Sequence, residues 1–350
     1  MRVVVTGTTG NVGTSTLRAL AADERVESVL GLARRLPGTD FPKTKFATAE
    51  VAEDDLVPHF RGADAVVHLA WLIQPSRDTR VTRRANVDGS ARVFRAVAEA
   101  GVPSLVYASS IGAYSPGPKD RRVDESWPTN GIPSAFYSRQ KSEVERLLDR
   151  FEDENPHTRV VRLRPGLIFK GTAASGIRRL FAGPFIPTPL LRTALIPVVP
   201  KIDRLCFQAV HSVDVGEAYG RAVASDAHGA FNVAAEPVLD PDELGRLLGA
   251  RPVPVPAAAL RAVADLAWRV RLQPTSPDWL DMALGVPLMN TGRVRRELGW
   301  EPRHTSGEAL LELIEGMRES EGAETPPLSP GTSGPLRIRE ILTGVGRTSR

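Results

Sequence analysis

An α/β fold, a doubly wound parallel sheet followed by a small, mostly helical carboxyl-terminal substrate lobe, is what this chain of 350 residues predicts. Two observations carry that expectation. In VVVTGTTGNVGTSTLRAL, Val3 to Leu20, three β-branched residues read as a buried strand, and Val12, Leu17 and Leu20 recur at helical spacing. The glycines between them therefore fall on a strand-to-helix turn. As far as Leu163, short apolar strands then alternate with amphipathic helical stretches, which implies right-handed crossovers and a parallel sheet covered on both faces.

Taken in order, strands are expected at Val3–Val5, Ser28–Leu32, Lys45–Thr48, Ala65–Leu69, Ser104–Ala108 and Arg159–Leu163. Two long helices are expected at Thr79–Ala100 and Tyr137–Glu152. Past Leu163 the alternation breaks, and a helix from Val213 to Ala224 and a strand at Phe231–Val233 bring the chain back to the sheet. The organisation read from this is a nucleotide-binding domain over 1–165, completed by 207–234, with a substrate lobe formed by 166–206 and 235–318. From Glu319 onward Pro, Gly, Ser and Thr dominate, which marks 319–350 as a disordered tail that cannot bury a core.

Composition excludes several classes of function. The net charge of +4 is carried by scattered arginine pairs with no reading helix or stacking aromatics, so nucleic acid is not an expected partner. Six dispersed histidines and the single Cys206 offer no metal-ligand spacing, so no metal is expected. The longest apolar tract, Leu180 to Pro200, carries five prolines and Arg192 and cannot be an unbroken membrane helix. The chain opens directly in a strand, and one cysteine suits a reducing compartment, so a cytoplasmic protein is expected.

Ligands of such a sheet bind outside the carboxyl ends of the strands. At the first strand, Gly7 permits the tight turn, Gly10 lets the backbone approach a pyrophosphate, and Gly13 lets the helix pack closely; Thr9, Asn11 and Val12 complete the turn. Free N–H groups and the helix dipole then face the anion. After the second strand Ala33 stands where an NAD site usually has an acid, and Arg34 and Arg35 follow, a pair suited to a 2′-phosphate. The fourth strand ends in HLAW: Leu69 and small Ala70 leave room for a ribose, Trp71 extends a wall toward the substrate, and His68 reads as a satisfied residue under the sheet end. Asn86 and Gly89 inside the next helix weaken it, which implies close packing or a polar duty.

The fifth strand delivers Ala108, Ser109 and Ser110, and downstream Tyr137 and Lys141 share one helix face. Tyrosine, with an ordinary pKa near 10, needs a cation beside it to act as a base at neutral pH, and Lys141 one turn along supplies that field. Ser110 can hold the substrate oxygen in line with the tyrosine. Such a site moves a proton while hydride passes to or from a nicotinamide.

TGTTGNVG, HLA, NVDGS, SS, YSRQK and a closing RELGWEP, in this order, resemble the extended short-chain dehydrogenase/reductase family, also called the NAD-dependent epimerase/dehydratase family, over Met1 to Arg318. The resemblance implies a Rossmann-like sheet, catalysis by Ser110, Tyr137 and Lys141, and a homodimer. It also implies cofactor contacts at Gly7, Gly10, Gly13, Ala70, Asn86, Lys141 and the Arg164–Pro165 turn, with Glu50–Val51 in the place of the adenine contact. Trp71, Ser110 and Gly112 are the expected substrate contacts. Two departures narrow the function: Ile111 and Gly112 stand where dehydratases carry an Asp–Glu pair, and Pro165–Gly166 stands where sugar epimerases commonly have an asparagine.

The leading expectation is an oxidoreductase using NADP, with NAD as an alternative, on a secondary alcohol or ketone of a hydrophobic small molecule. A nucleotide-sugar epimerase and a non-catalytic dinucleotide-binding redox sensor are the alternatives.

Overall fold

The computed structural model describes residues 1–73, 78–181, 197–273, 275–319, 321–325 and 327–329. Its strands are β1 (Arg2–Thr6), β2 (Ser28–Ala33), β3 (Thr44–Thr48), β4 (Ala65–His68), β5 (Ser104–Ala108), β6 (Arg122–Val123), β7 (Arg159–Pro165), β8 (Leu167–Phe169), β9 (Val198–Lys201), β10 (Ala209–His211), β11 (Gly229–Val233), β12 (Arg251–Pro254) and β13 (Leu288–Met289). The helices are α1 (Asn11–Ala22), α2 (Val57–Phe60), α3 (Thr79–Arg83), α4 (Gly89–Glu99), α5 (Phe136–Glu154), α6 (Ala174–Phe181), α7 (Ser212–Val223), α8 (Pro241–Leu248), α9 (Ala257–Arg269), α10 (Asp278–Gly285), α11 (Gly292–Leu298) and α12 (Ser306–Glu319).

Seven strands form one sheet in the order β11-β7-β5-β4-β1-β2-β3, and every neighbouring pair is parallel. The order reverses between β1 and β4, which opens a crevice at the carboxyl ends of those strands. Both faces are covered, as the apolar runs demand. Leu17 and Leu20 of α1 and Val215, Ala218 and Tyr219 of α7 bury one face, while Val93 and Val97 of α4 and Val144 and Leu148 of α5 bury the other. The small pairs β10–β8, β12–β9 and β13–β6 lie outside this sheet and give the carboxyl-terminal part some strand content beside its helices.

The expected helix over Thr79–Ala100 is present, but a π turn at Arg84–Asp88 divides it around Asn86. Gly89 is there for packing: a Cβ on it would stand 3.0 Å from Val51 Cγ2. The apolar tract at 180–200 falls largely outside the described residues, which resume before β9. Most of the tail expected over 319–350 lies outside the described residues. The first residues of the supposed disordered tail lie on the sheet domain: the Gly38 N–H donates to the Glu324 carbonyl (3.2 Å), and Thr325 and Leu328 are buried. Leu328 supplies the apolar anchor that the composition of the tail as a whole conceals.

Helices α1 and α7 approach so closely that a Cβ on Gly216 would lie 2.6 Å from the Ser15 carbonyl carbon, and the Ser15 and Ser212 hydroxyls meet at 2.9 Å. Gly216→Ala is therefore expected to force these helices apart and cost about 1–3 kcal/mol, the range for overpacking a close contact. A lowered midpoint in urea unfolding checks this, and an unchanged midpoint would show that the contact yields without cost.

Candidate active site

At the end of β1 the chain turns on Gly7, whose φ of 73° is open to glycine and strained for other residues. Added Cβ atoms would strike backbone at Gly7 (2.7 Å from Ala70 N) and at Gly13 (2.4 Å from Gly7 O), whereas at Gly10 the nearest atom is 3.5 Å away. Gly7 and Gly13 thus serve the fold, and Gly10 leaves its outer side open. No side chain caps α1 and no acid stands in its first turn, and Asn11 Oδ1 is buried without a partner. An uncapped helix end beside an open glycine and an orphaned amide oxygen fits an anionic diphosphate. Thr9 and Val12 lie in the same turn.

At the far end of the crevice, Arg34 is exposed and pairs with Glu50 through Nε at 3.4 Å. Arg35 is exposed beside it, and Val51 is buried. Leu69 and Ala70 follow β4, with the Ala70 N–H donating to Thr6 Oγ1 at 3.3 Å. His68 is clamped between Thr6 Oγ1 (2.7 Å) and Ser90 Oγ (3.0 Å), and burial pushes its pKa down to about 3, so it is a neutral structural residue. Asn86 commits its whole side chain internally: Oδ1 accepts from Leu72 N–H (2.6 Å), while Nδ2 donates to Leu72 O (3.0 Å) and Gln140 Oε1 (2.9 Å). Its polar duty is to hold the segment that carries Trp71.

Tyr137 lies in the first turn of α5 close to Ser110, whose Oγ accepts from Gly112 N–H at 3.0 Å. Gly112 has to be small, since a Cβ on it would lie 2.8 Å from Tyr137 Cε1. The tyrosine ring packs against two indoles, Trp71 at 5.9 Å and Trp279 of α10 at 5.3 Å between centroids. Lys141 is buried one turn along, donating to the Ala108 carbonyl at 2.6 Å, with its ammonium 3.5 Å from the centroid of Trp71 and 6.0 Å from that of Tyr137. The three residues expected to share the site, Ser110, Tyr137 and Lys141, stand near one another in the structure. The direction of the tyrosine's shift differs from expectation: burial pushes Tyr137 up to about 12, with only the Ser110 bond opposing. Burial also holds Lys141 well below its ordinary value, against the pull of Glu145. The ammonium stands nearer the Trp71 ring than the Tyr137 ring.

Sequence reasoning missed what lies beneath. Glu145 is fully buried and accepts from Ser109 Oγ (2.5 Å), from Arg164 Nε and Nη2 (both 2.9 Å), and from Arg162 Nη1 (3.0 Å). Arg162 also reaches Asp149 and Glu152, and Arg164 reaches Tyr114 Oη (3.1 Å) and the Glu125 carbonyl (2.9 Å). The guanidinium of Arg164, implied as a cofactor contact, is thus engaged inside the fold, and the following Pro165 lies in register with Val233 at the end of β7. The signal was available: Tyr137, Lys141 and Glu145 recur every four residues on one helix face, and an acid on a buried face requires a cation. Trp279, in the carboxyl-terminal part, had no signal of this kind.

The architecture is Rossmann-like and is shared with solved structures of the same fold. The family model for the NAD dependent epimerase/dehydratase family matches residues 3–171, and that part of the chain belongs to the family. An uncharacterized protein of Mycobacterium tuberculosis is 26% identical over 322 residues, 91% of this chain; the chain spans 30% of that relative's length. A 4-hydroxy-2-methyl-3-oxo-4-farnesyl-3,4-dihydroquinoline-1-oxide ketoreductase of Stigmatella aurantiaca is 26% identical over 341 residues, covering 92% of this chain and 98% of the relative. Among solved structures, the UDP-glucose 4-epimerase of Thermus thermophilus in complex with NAD aligns with a TM-score of 0.66 at 21% identity, over 91% of this chain and 99% of that one, which shows the shared fold.

Burial alone would raise the Glu145 carboxyl, but Arg164, Arg162 and Ser109 overcome it and hold the pKa at about 2, below the ordinary 4.5. A depressed carboxyl contributes stability above its unfolded value and loses it as the pH falls toward the folded one. Glu145→Gln is expected to cost about 3–5 kcal/mol at neutral pH by leaving buried guanidinia uncompensated. The gap to wild type should close as the pH drops from 4.5 toward about 2. A gap independent of pH in acid and denaturant unfolding would contradict this account.

Proposed function

We propose that the protein is an NADP-preferring oxidoreductase that moves hydride at a secondary alcohol or ketone of a mainly hydrophobic small molecule, with Tyr137 as its acid/base. The observation that carries the reading is the Tyr137 ring packed against both Trp71 and Trp279, with Ser110 acting on its hydroxyl. A phenol and a second hydroxyl at an apolar wall are what such a reaction needs, which supports the reading. Ile111, Met282 and Ile132 extend the apolar surroundings, and no carboxylate occupies the positions of Ile111 and Gly112 to expel water as a dehydratase would. The ketoreductase relative, named for a farnesyl-bearing oxo compound, supports a hydrophobic ketone.

A nicotinamide, when bound, supplies or accepts the hydride. In reduction, the carbonyl oxygen takes a hydrogen bond from Ser110 and a proton from Tyr137 Oη as the carbon becomes an alcohol. The raised pKa of Tyr137 keeps that proton in place at physiological pH. Lys141, fixed by Ala108, adds positive charge beside the phenol when the tyrosinate forms. In oxidation the same atoms run in reverse. Arg34 supports NADP: it is paired with Glu50 only at 3.4 Å, and a 2′-phosphate offers it a stronger, bidentate partner.

Tyr137→Phe is expected to leave dinucleotide binding near wild type and remove turnover, read as kcat with NADPH and a panel of apolar ketones. Half the wild-type rate would refute the assignment. Ketone reduction should be flat through neutral pH and fall only toward pH 12, because the donor stays protonated below about 12; a fall centred near neutrality would mean another group is the acid. Ala33→Asp combined with Arg34→Asn should reverse a preference for NADPH over NADH in titration, and equal affinities unmoved by the change would count against the cofactor assignment. Calorimetric titration with uridine and thymidine diphosphate sugars should show no micromolar binding, and saturable binding would favour an epimerase.

A further inference from the structure

A cavity of about 240 Å³ opens where α1 meets the loop after β2, the turn after β8 and the ordered start of the carboxyl-terminal segment. None of its lining residues belongs to the set assigned to the dinucleotide. Two cations line it. Lys170 is 7% exposed, and among the described residues its one hydrogen bond is a long contact with Ser15 Oγ at 3.4 Å. Arg18 stands with it, and its side chain has neither ion pair nor hydrogen bond among the described residues. Thr325 Oγ1 is buried and has no partner among the described residues. The hydroxyl-bearing Thr39 and Thr172 also line the cavity, and Glu324, the single carboxylate of the lining, belongs to an exposed residue. Glu312 acts on Lys170 only at longer range, while burial and then Arg18 pull the lysine's pKa down.

A buried ammonium without a counter-ion is costly, and a second cation beside it raises the cost. A fold that retains both, together with an orphaned buried hydroxyl, has the donor set of an anion site. The volume lies below the 300–1,000 Å³ or so typical of pockets for drug-sized ligands. It suits a compact oxyanion rather than a nucleotide. We propose that this cavity binds a phosphate-sized oxyanion, held by Lys170 and Arg18 and by the hydroxyl of Thr325. Because Thr325 comes from the carboxyl-terminal segment, occupancy also fastens that segment to α1 and to the loop after β2, where Glu324 already accepts from Gly38.

The test is thermal unfolding of the full chain titrated with inorganic phosphate, against sodium chloride at matched ionic strength, with and without saturating NADPH. Phosphate is expected to raise Tm saturably beyond chloride, and to do so equally with NADPH bound. Arg18→Gln and Lys170→Gln should each weaken the effect by about tenfold or more, the loss of one charge-assisted contact. Without phosphate, Lys170→Gln should unfold at the wild-type temperature or above it, since an unpaired buried charge has been removed. Arg18→Gln, which alters an exposed residue, decides the matter if the lysine variant fails to fold. Comparing phosphate with glycerol 3-phosphate separates a free ion from the phosphoryl end of a metabolite, according to which binds more tightly. An equal effect of chloride, an undiminished effect in Arg18→Gln, or loss of the phosphate effect with NADPH bound would overturn the proposal. None of these readouts depends on turnover, so they stand apart from the redox reading.

Discussion

The buried carboxylate of Glu145 is the interaction on which the candidate site depends. It joins three elements: α5, which presents Tyr137 and Lys141; β7, through Arg162 and Arg164; and the end of β5, through Ser109. The next residue along, Ser110, is the one that acts on the Tyr137 hydroxyl. A charge locked under the helix by two guanidinia thus fixes the rotation of α5 relative to the strand that delivers the serine. Because the pairs are almost entirely out of water, solvent screens them little, and the bidentate geometry of Arg164 restricts orientation as well as distance. The same carboxylate is the nearest compensation acting on the buried ammonium of Lys141.

Above this lock the environment is apolar. Trp71 stands over the lysine and edge-on to the tyrosine ring, and Trp279 also packs against that ring. Withdrawing the phenol from water makes it a poor base and a well-retained acid. The indoles have a further consequence for selectivity, since a ligand rich in hydroxyls would bury groups with few partners there.

Much of the fold was legible because its signals are local. Alternating apolar strands and helices predict a parallel sheet directly, and the glycine turn marks β1 and α1 by the three positions where a side chain cannot or need not fit. Tyr137 and Lys141 were legible for the same reason, four residues apart on one helix. What escaped depends on partners distant in the chain. Glu145 with Arg162 and Arg164 reads on the sequence as helix and strand charges until both are seen to be buried. Trp279 reaches Tyr137 from a part of the chain whose folding back leaves no periodic trace. The tail misled through its composition: one leucine and a few hydrogen bonds hold 321–325 and 327–329 in place despite the surrounding Pro, Gly and Ser.

The central claim is that hydride passes to the carbon of an apolar ketone while Tyr137 protonates its oxygen. Incubation with NADPH deuterated at the transferable C4 position and a panel of hydrophobic ketones, followed by mass spectrometry of the products, addresses it most directly. The account predicts one deuterium on the carbinol carbon of at least one alcohol, with matching loss of NADPH and none of either in Tyr137→Phe. Failure to label any ketone, together with inversion of a nucleotide sugar without net NADPH consumption, would contradict it.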